Sequence, residues 1–143
     1  MSGPPELLEV VQRWVQKAEN DLITAEHTLQ LEERCPYDTV CFHARQCVEK
    51  YFKALLTLKW VDFPKTHDVA ELFAILPDDA RPDIDLAELK ELSPYAVEVR
   101  YPNDWIPLSR EKAVRAIEIA RKVRSAVRVL LPSSSGQATE VEE

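Results

Sequence analysis

Glycine is nearly absent from this chain of 143 residues, which has only Gly3 and Gly136, both near the ends. Tight β-hairpin turns depend on glycine because it adopts positive φ angles at no steric cost. A β-rich chain without a single glycine between residues 4 and 135 is therefore not expected. The lack of glycine predicts an all-α protein.

Three further absences narrow the class of protein. No apolar run approaches the roughly 20 residues that cross a bilayer as a helix. The cysteines, Cys35, Cys41 and Cys47, are odd in number and form no CxxC pair, and no signal peptide precedes them. These features predict reduced thiols in a cytoplasmic protein. A basic excess is also absent, since the net charge of −7 argues against a general DNA-binding protein.

The charge is unevenly distributed along the chain. The segment from Asp78 to Glu98 is acidic. The last periodic segment, in contrast, has only two glutamates against seven basic residues: Arg110, Lys112, Arg115, Arg121, Lys122, Arg124 and Arg128. Two interpretations follow. The segment forms either a local basic surface or, more simply, the solvated face of an ordinary helix.

Hydrophobic periodicity predicts where the helices lie. Apolar residues recur every three or four positions from about residue 6 to 34, from about Asp38 to Trp60, and from Ser109 to Pro132. Asp38, Thr66 and Ser109 are suitable N-caps, and Thr66 would begin a short helix. A further helical stretch surrounds residues 84–92. We expect an up-and-down four-helix bundle with an additional short helix.

The chain reads as one domain. Residues 1–5 are expected to be a leader, residues 6–131 the helical bundle, and residues 132–143 a disordered acidic tail, because the tail has almost no large apolar side chains to bury.

The second predicted helix is apolar on two sides. One apolar face contains residues such as Val40, Tyr51 and Leu55, and a separate stripe consists of Phe42, Phe52, Leu56 and Trp60. A helix with two apolar sides is central in its domain or lies at an interface. We expect this helix to be central and the second stripe to form a homodimer interface.

A polar sector separates these two apolar sides and contains His43, Gln46, Lys50 and Lys53. Ammonium, imidazole and amide groups together can receive an anion. The alternative is a solvated strip between two packed faces. Asp21, in the middle of the first helix, is expected to hydrogen-bond across the bundle.

A metal site is not expected. His43 and Cys47 lie four residues apart, which suits two ligands of one metal, but no third and fourth ligand follow at a suitable spacing. Cys41 and Cys47 are more simply small packing residues.

Three stretches in this order resemble the HEPN family (higher eukaryotes and prokaryotes nucleotide-binding). The first is residues 14–25, which include Asp21 and Leu22. The second is residues 41–56, followed by Lys65, Thr66, His67 and Asp68. The third is residues 95–102, which end in Arg100, Tyr101 and Pro102. The resemblance covers about residues 6–131.

This resemblance implies a helical bundle, often dimeric, that is found beside or fused to minimal nucleotidyltransferases. It implies a nucleotide- or nucleic-acid-associated binding subunit, or one half of a toxin–antitoxin pair. Catalytic members of the family are metal-independent ribonucleases with an Arg followed four to six positions later by His. Arg100 matches the Arg position, but no His follows it. We therefore expect a binding protein without a cofactor rather than an enzyme of that kind.

The third stretch supplies further candidate ligand contacts. Arg100 can hold a phosphate with two hydrogen bonds, and Tyr95 or Tyr101 can stack on a base. Alternatively, Arg100 pairs with a carboxylate such as Glu98 or Glu49 and closes the bundle. Two other functions remain open: a degenerate or unusual metal-independent ribonuclease, and a purely structural dimeric adaptor.

Overall fold

The computed structural model of the protein describes residues 5–96 and 108–132, and within these ranges it contains helices and no β-strand. Single 3-10 turns occur at Glu32–Arg34, Asp78–Ala80 and Ser93–Tyr95. The described residues form five α-helices: α1 (Pro5–Leu29), α2 (Tyr37–Leu58), α3 (Val69–Ala74), α4 (Leu86–Glu91) and α5 (Arg110–Arg128). Three helices are long and two are short, and the predicted all-α class is confirmed.

Helix α2 is the central helix of the bundle. It packs against α1 on one side and α5 on the other, and it also contacts α3 and the turn Ser93–Tyr95. Its side chains Val40, Tyr51 and Leu55 are fully buried. The prediction of a central helix from two apolar sides is therefore confirmed, because both sides have a neighbour within the same chain.

The predicted dimer stripe is corrected by this packing. Phe52 and Leu56 are 0% exposed and belong to the core, where the ring of Phe52 lies 5.7 Å from that of Phe73 on α3. The prediction was wrong for these two residues because the short helix α3 covers their side of α2. Phe42 is half-buried and Trp60 is 73% exposed. Dimerisation itself stays a prediction.

The helix starts differ partly from the expected ones. Ser109 caps α5 as predicted, because its Oγ accepts a hydrogen bond of 3.1 Å from the amide of Lys112. Helix α3 is capped by Asp68 instead of Thr66, and α2 has Pro36 at its N-cap position instead of Asp38. Short polar residues cluster at these boundaries, so the pattern identifies the start of a helix only to within two or three residues.

A sharp turn ends α2 and directs the following loop back over the bundle. The amide of Val61 donates to the carbonyl of Leu56 at 2.9 Å, and the amide of Trp60 donates to that of Thr57 at 3.1 Å. These two bonds form a Schellman motif, with Trp60 at φ 59° in the position that usually holds glycine. The left-handed conformation costs a non-glycine residue about 1–2 kcal/mol.

None of the helices in residues 5–96 and 108–132 is both long enough and apolar enough to cross a membrane.

Candidate ligand-binding site

The polar sector of α2 lies beside α1 and the loop that precedes α3. We call its four residues, His43, Gln46, Lys50 and Lys53, the polar strip. All four are half-buried in the structure. Two buried carboxylates, one at each side of the strip, fix the positions of its charged members. These carboxylates divide the strip into two clusters with different properties.

The first group, the Asp21 cluster, joins α1 to α2. Asp21 is 7% exposed, and its Oδ1 lies 2.7 Å from Nδ1 of His43 while its Oδ2 accepts from Nζ of Lys50 at 2.6 Å. The prediction that Asp21 hydrogen-bonds across the bundle is confirmed. The side chains of His43 and Lys50 remain 23% and 20% exposed. Because an ammonium group has three donors, Lys50 keeps donors for a ligand.

The second group, the Glu49 cluster, is covered except at His67, whose side chain is 67% exposed. Glu49 is 2% exposed and accepts 2.7 Å hydrogen bonds from Arg45 and Lys53, while Nδ1 of His67 lies 3.3 Å from each of its oxygens. Arg45, 1% exposed, also donates to the main-chain oxygens of His67 at 2.7 Å and Tyr95 at 3.1 Å. These bonds tie two connecting segments to α2.

The electrostatics of Glu49 favour its ionised form. Burial by itself would raise the pKa of this carboxyl, but the hydrogen bonds and charges of Lys53 and Arg45 outweigh burial and hold the pKa below its ordinary value of 4.5. Glu49 therefore stays charged and keeps both cations in place. Lys53 is bound to it with only 12% of its side chain exposed, so this lysine has little surface to offer a ligand.

Two aromatic rings lie at the Lys53 end of the strip. Nζ of Lys53 is 5.5 Å from the ring centroid of Trp14 on α1 and 5.6 Å from that of Phe63, distances that allow cation–π attraction. The two rings meet edge to face with their centroids 6.3 Å apart, and both are half-buried. The strip therefore continues from a charged end at His43 to an aromatic end at Trp14.

The remaining predicted ligand contacts do not join this group in the described residues. Tyr95 is 9% exposed and belongs to the core cluster, so little of its ring is open to a ligand, and its role as a stacking platform stays a prediction. Arg100 and Tyr101, together with Glu98, lie outside the described residues. Within the described residues, the carboxylate of Glu49 bonds to Arg45, Lys53 and His67, the first two of which are helix neighbours four residues away.

Several participants were missed at the level of sequence. Neither Trp14 nor Phe63 was among the candidate ligand contacts. The i,i+4 spacing of Arg45, Glu49 and Lys53 is a signal that identifies the second cluster, because side chains four residues apart on a helix lie together. No comparable signal in the sequence connects Phe63 to Trp14.

Most of the basic residues of α5 form ion pairs. Each of four cations lies close to a carboxylate of another helix: Arg115 to Glu88 and Glu91, Lys122 to Glu88, Arg121 to Glu26, and Arg124 to Glu19. The carboxylates come from α1 and α4, which flank α5. The structure therefore favours a solvated, paired helix face over a local basic surface.

The cysteines are buried in the protein interior. Cys41 and Cys47 are both 0% exposed, and burial raises the pKa of the Cys41 thiol to about 11 and that of Cys47 still further. Both thiols are packing residues, as predicted. The described part of the chain contains no group of three or more His, Cys, Asp or Glu residues able to hold a metal ion.

Comparisons with known proteins agree with this helical architecture. No curated protein matches the chain. The crystal structure of TT1696 from Thermus thermophilus is similar with a TM-score of 0.72 and 28% identity, over 85% of this chain and 98% of that chain. The structure of ST0689, an archaeal HEPN homologue, is similar with a TM-score of 0.61 and 22% identity, over 84% of this chain and 96% of that chain. At that identity, the second similarity shows the fold alone.

Residues 11–130 match the HEPN domain. The chain belongs to the HEPN domain family.

Proposed function

We propose that this protein is a nucleotide- or nucleic-acid-associated binding subunit that receives a phosphate at the Asp21 cluster. The observation that carries the proposal is the geometry of this cluster. A buried carboxylate holds His43 and Lys50 side by side at 2.7 and 2.6 Å, while both side chains remain partly open to solvent. Groups that are fixed in this way lose little conformational entropy when a ligand arrives.

The local charge supports an anionic ligand in spite of the net charge of −7. At long range an acidic protein repels anions, so binding depends on donors gathered at one place. Here the partly exposed donors are those of Lys50 and His43, which the carboxylate of Asp21 holds together. Each hydrogen bond from a charged donor contributes about 1.5–3 kcal/mol.

Titration calorimetry with inorganic pyrophosphate and ADP tests the proposal. We expect Lys50→Gln and His43→Ala each to weaken binding of both compounds by about ten-fold or more, which corresponds to the loss of one charged hydrogen bond. Lys59→Gln is a matched control, because Lys59 pairs with the exposed Asp79 away from the strip. If neither compound binds the wild-type protein at millimolar concentration, or if both variants bind as well as the wild type, the proposal is wrong.

The proposal includes a protein partner. We propose that the subunit works with a minimal nucleotidyltransferase, in a toxin–antitoxin-like pair, and forms a homodimer. Membership of the HEPN domain family supports this, and so does Trp60, since a large apolar side chain that is 73% exposed in a strained backbone conformation suits an interface.

Co-expression with the nucleotidyltransferase of the same genome, followed by light scattering, tests the partnership. We expect a stable complex and a dimeric mass for the isolated protein. Trp60→Ser should weaken at least one of the two assemblies, while Val129→Ser, at an 82% exposed valine, should affect neither. A monomeric protein that does not bind the nucleotidyltransferase would contradict this part of the proposal.

A ribonuclease function is the alternative that one observation favours. The Asp21 carboxylate orients the imidazole of His43, an arrangement that suits a general base. The assay measures RNA cleavage in the presence of a metal chelator. If the wild type cleaves RNA and both His43→Ala and Asp21→Asn do not, the protein is a ribonuclease and the binding proposal is wrong. We expect no such cleavage.

A further inference from the structure

The aromatic end of the polar strip has a specific position relative to the Asp21 cluster. Trp14 and Asp21 are seven residues apart on α1, so they lie on the same face of the helix, two turns and about 10 Å apart. The core residues of α1, such as Val11 and Ala18, are almost fully buried, whereas Trp14 is half-buried. Trp14 therefore lies at the edge of the core, beside the strip.

The environment of Trp14 is fixed by its neighbours. The edge-to-face contact with Phe63 orients the indole from the side of the loop. Lys53 approaches both rings, and Glu49 holds its ammonium group at 2.7 Å. The sharp turn at Trp60 returns the chain toward α1, which allows Phe63 to reach Trp14. The hydrogen bond to Glu49 thus keeps a positive charge over the two aromatic rings.

We propose that Trp14 is the base-stacking platform of the site, so that the ligand is a nucleoside diphosphate or triphosphate. This inference rests on the proposed function. The base would lie on the accessible part of the indole beside Phe63, and the phosphates would extend toward Lys50 and His43. Because about 10 Å separates Trp14 from Asp21, the ligand needs a sugar and more than one phosphate between its two contacts.

Aromatic stacking on a protein side chain supplies affinity that inorganic phosphates cannot obtain. Alanine substitution of such platforms lowers binding by an amount that corresponds to roughly five- to one-hundred-fold per base. The platform tolerates different bases because every base has a π-face. We therefore expect ADP to bind more tightly than pyrophosphate, and ADP and GDP to bind with similar affinity.

The test compares ADP with pyrophosphate on wild-type protein, Trp14→Leu and Trp14→Phe by titration calorimetry. We expect Trp14→Leu to weaken ADP binding by about ten-fold or more and to leave pyrophosphate binding unchanged. Trp14→Phe should retain most of the ADP affinity, because it keeps an aromatic face. Val129→Ala, at an 82% exposed valine that follows α5, should change neither affinity.

The outcomes separate this inference from the proposed function. If wild-type protein binds ADP and pyrophosphate equally well, or if Trp14→Leu binds ADP as the wild type does, the stacking platform is wrong while phosphate binding at Lys50 stands. If wild-type protein binds neither compound, the proposed function fails and this inference fails with it. Unchanged pyrophosphate binding by Trp14→Leu also shows that the variant is folded.

Discussion

The Asp21 cluster and the Glu49 cluster use the same chemical groups on the same face of α2, yet they differ in how completely those groups are bonded. Glu49 and Arg45 are 2% and 1% exposed, and main-chain oxygens of two connecting segments take up further donors of Arg45. In the Asp21 cluster, His43 and Lys50 keep about a fifth of their side-chain surface exposed. A buried carboxylate whose partners are both partly exposed suits ligand binding. Glu49 has an exposed partner in His67, at 67%, but its two cations are covered, and such a cluster holds the chain together.

The difference follows from where the partners originate. Arg45, Glu49 and Lys53 are spaced four residues apart on one helix, and the loop before α3 covers them. Asp21 reaches its partners from a neighbouring helix, at the surface between α1 and α2. A loop that covers a cluster excludes water from it. Removal of one charged partner then lowers the stability of the protein strongly, because the remaining charge stays buried.

The largest expected effect is on stability at the Glu49 cluster. Arg45→Met should lower the free energy of unfolding by about 3–5 kcal/mol, because it leaves a buried carboxylate with a charge partner removed. Urea denaturation measures this loss. The double variant Arg45→Met with Glu49→Leu should recover much of it, because no unpaired carboxylate remains. A loss below about 1 kcal/mol in the single variant would mean that this cluster is no structural clamp.

The next effect is the acid sensitivity of the same cluster. The pKa of Glu49 lies below 4.5 in the folded protein, so the unfolded chain takes up this proton at a higher pH than the folded chain does. The contribution of Glu49 to stability is therefore complete above pH 4.5 and is lost as the pH falls through the lower folded pKa.

A second carboxyl contributes in the same direction. Burial alone would raise the pKa of Glu19, but hydrogen bonds from Arg124 and Tyr51 and the charges of Arg124 and Arg128 hold it below 4.5. We expect the unfolding free energy to decline as the pH falls below 4.5. Glu49→Gln should make that decline shallower. The unfolding free energy is measured by urea denaturation at several pH values. If it falls with pH as steeply in Glu49→Gln as in the wild type, the prediction is wrong.

A smaller effect is expected at the Asp21 cluster. Asp21→Asn should cost about 1 kcal/mol, because His43 and Lys50 are exposed enough to bond to water when the charged acceptor is gone. Thermal and urea unfolding measure this loss of stability, with Arg45→Met measured in parallel for comparison. A loss as large as that of Arg45→Met would show that both clusters are structural and that their difference in exposure has no functional meaning.

The long helices were predictable because hydrophobic periodicity reports burial directly, and α1, α2 and α5 have strong stripes. Periodicity cannot tell which neighbour covers a given stripe. Phe52 and Leu56 were therefore assigned to a dimer interface although α3 buries them in the same chain. The polar strip was predictable from the angular positions of its residues on α2.

The division of the strip into two clusters was not predictable, because it depends on contacts between distant residues. Asp21 was expected to bond across the bundle, but its partners were unknown until α1 and α2 were placed together. Trp14 and Phe63 are 49 positions apart in the sequence, and only the reversal of the chain at Trp60 brings them into contact. The burial of most of Tyr95 was not predictable, because a tyrosine suits a ligand platform and a core equally well.

The most direct measurement compares Lys50→Gln with Lys53→Gln, two identical changes seven and ten residues from His43 on the same helix. Pyrophosphate affinity and melting temperature are measured for both. We expect Lys50→Gln to lose about ten-fold or more in affinity with a small change in melting temperature. Lys53→Gln should lower the melting temperature more and leave pyrophosphate affinity close to that of the wild type. The opposite pattern, or equal effects of both changes on both quantities, would contradict the assignment of binding to the Asp21 cluster and of support to the Glu49 cluster.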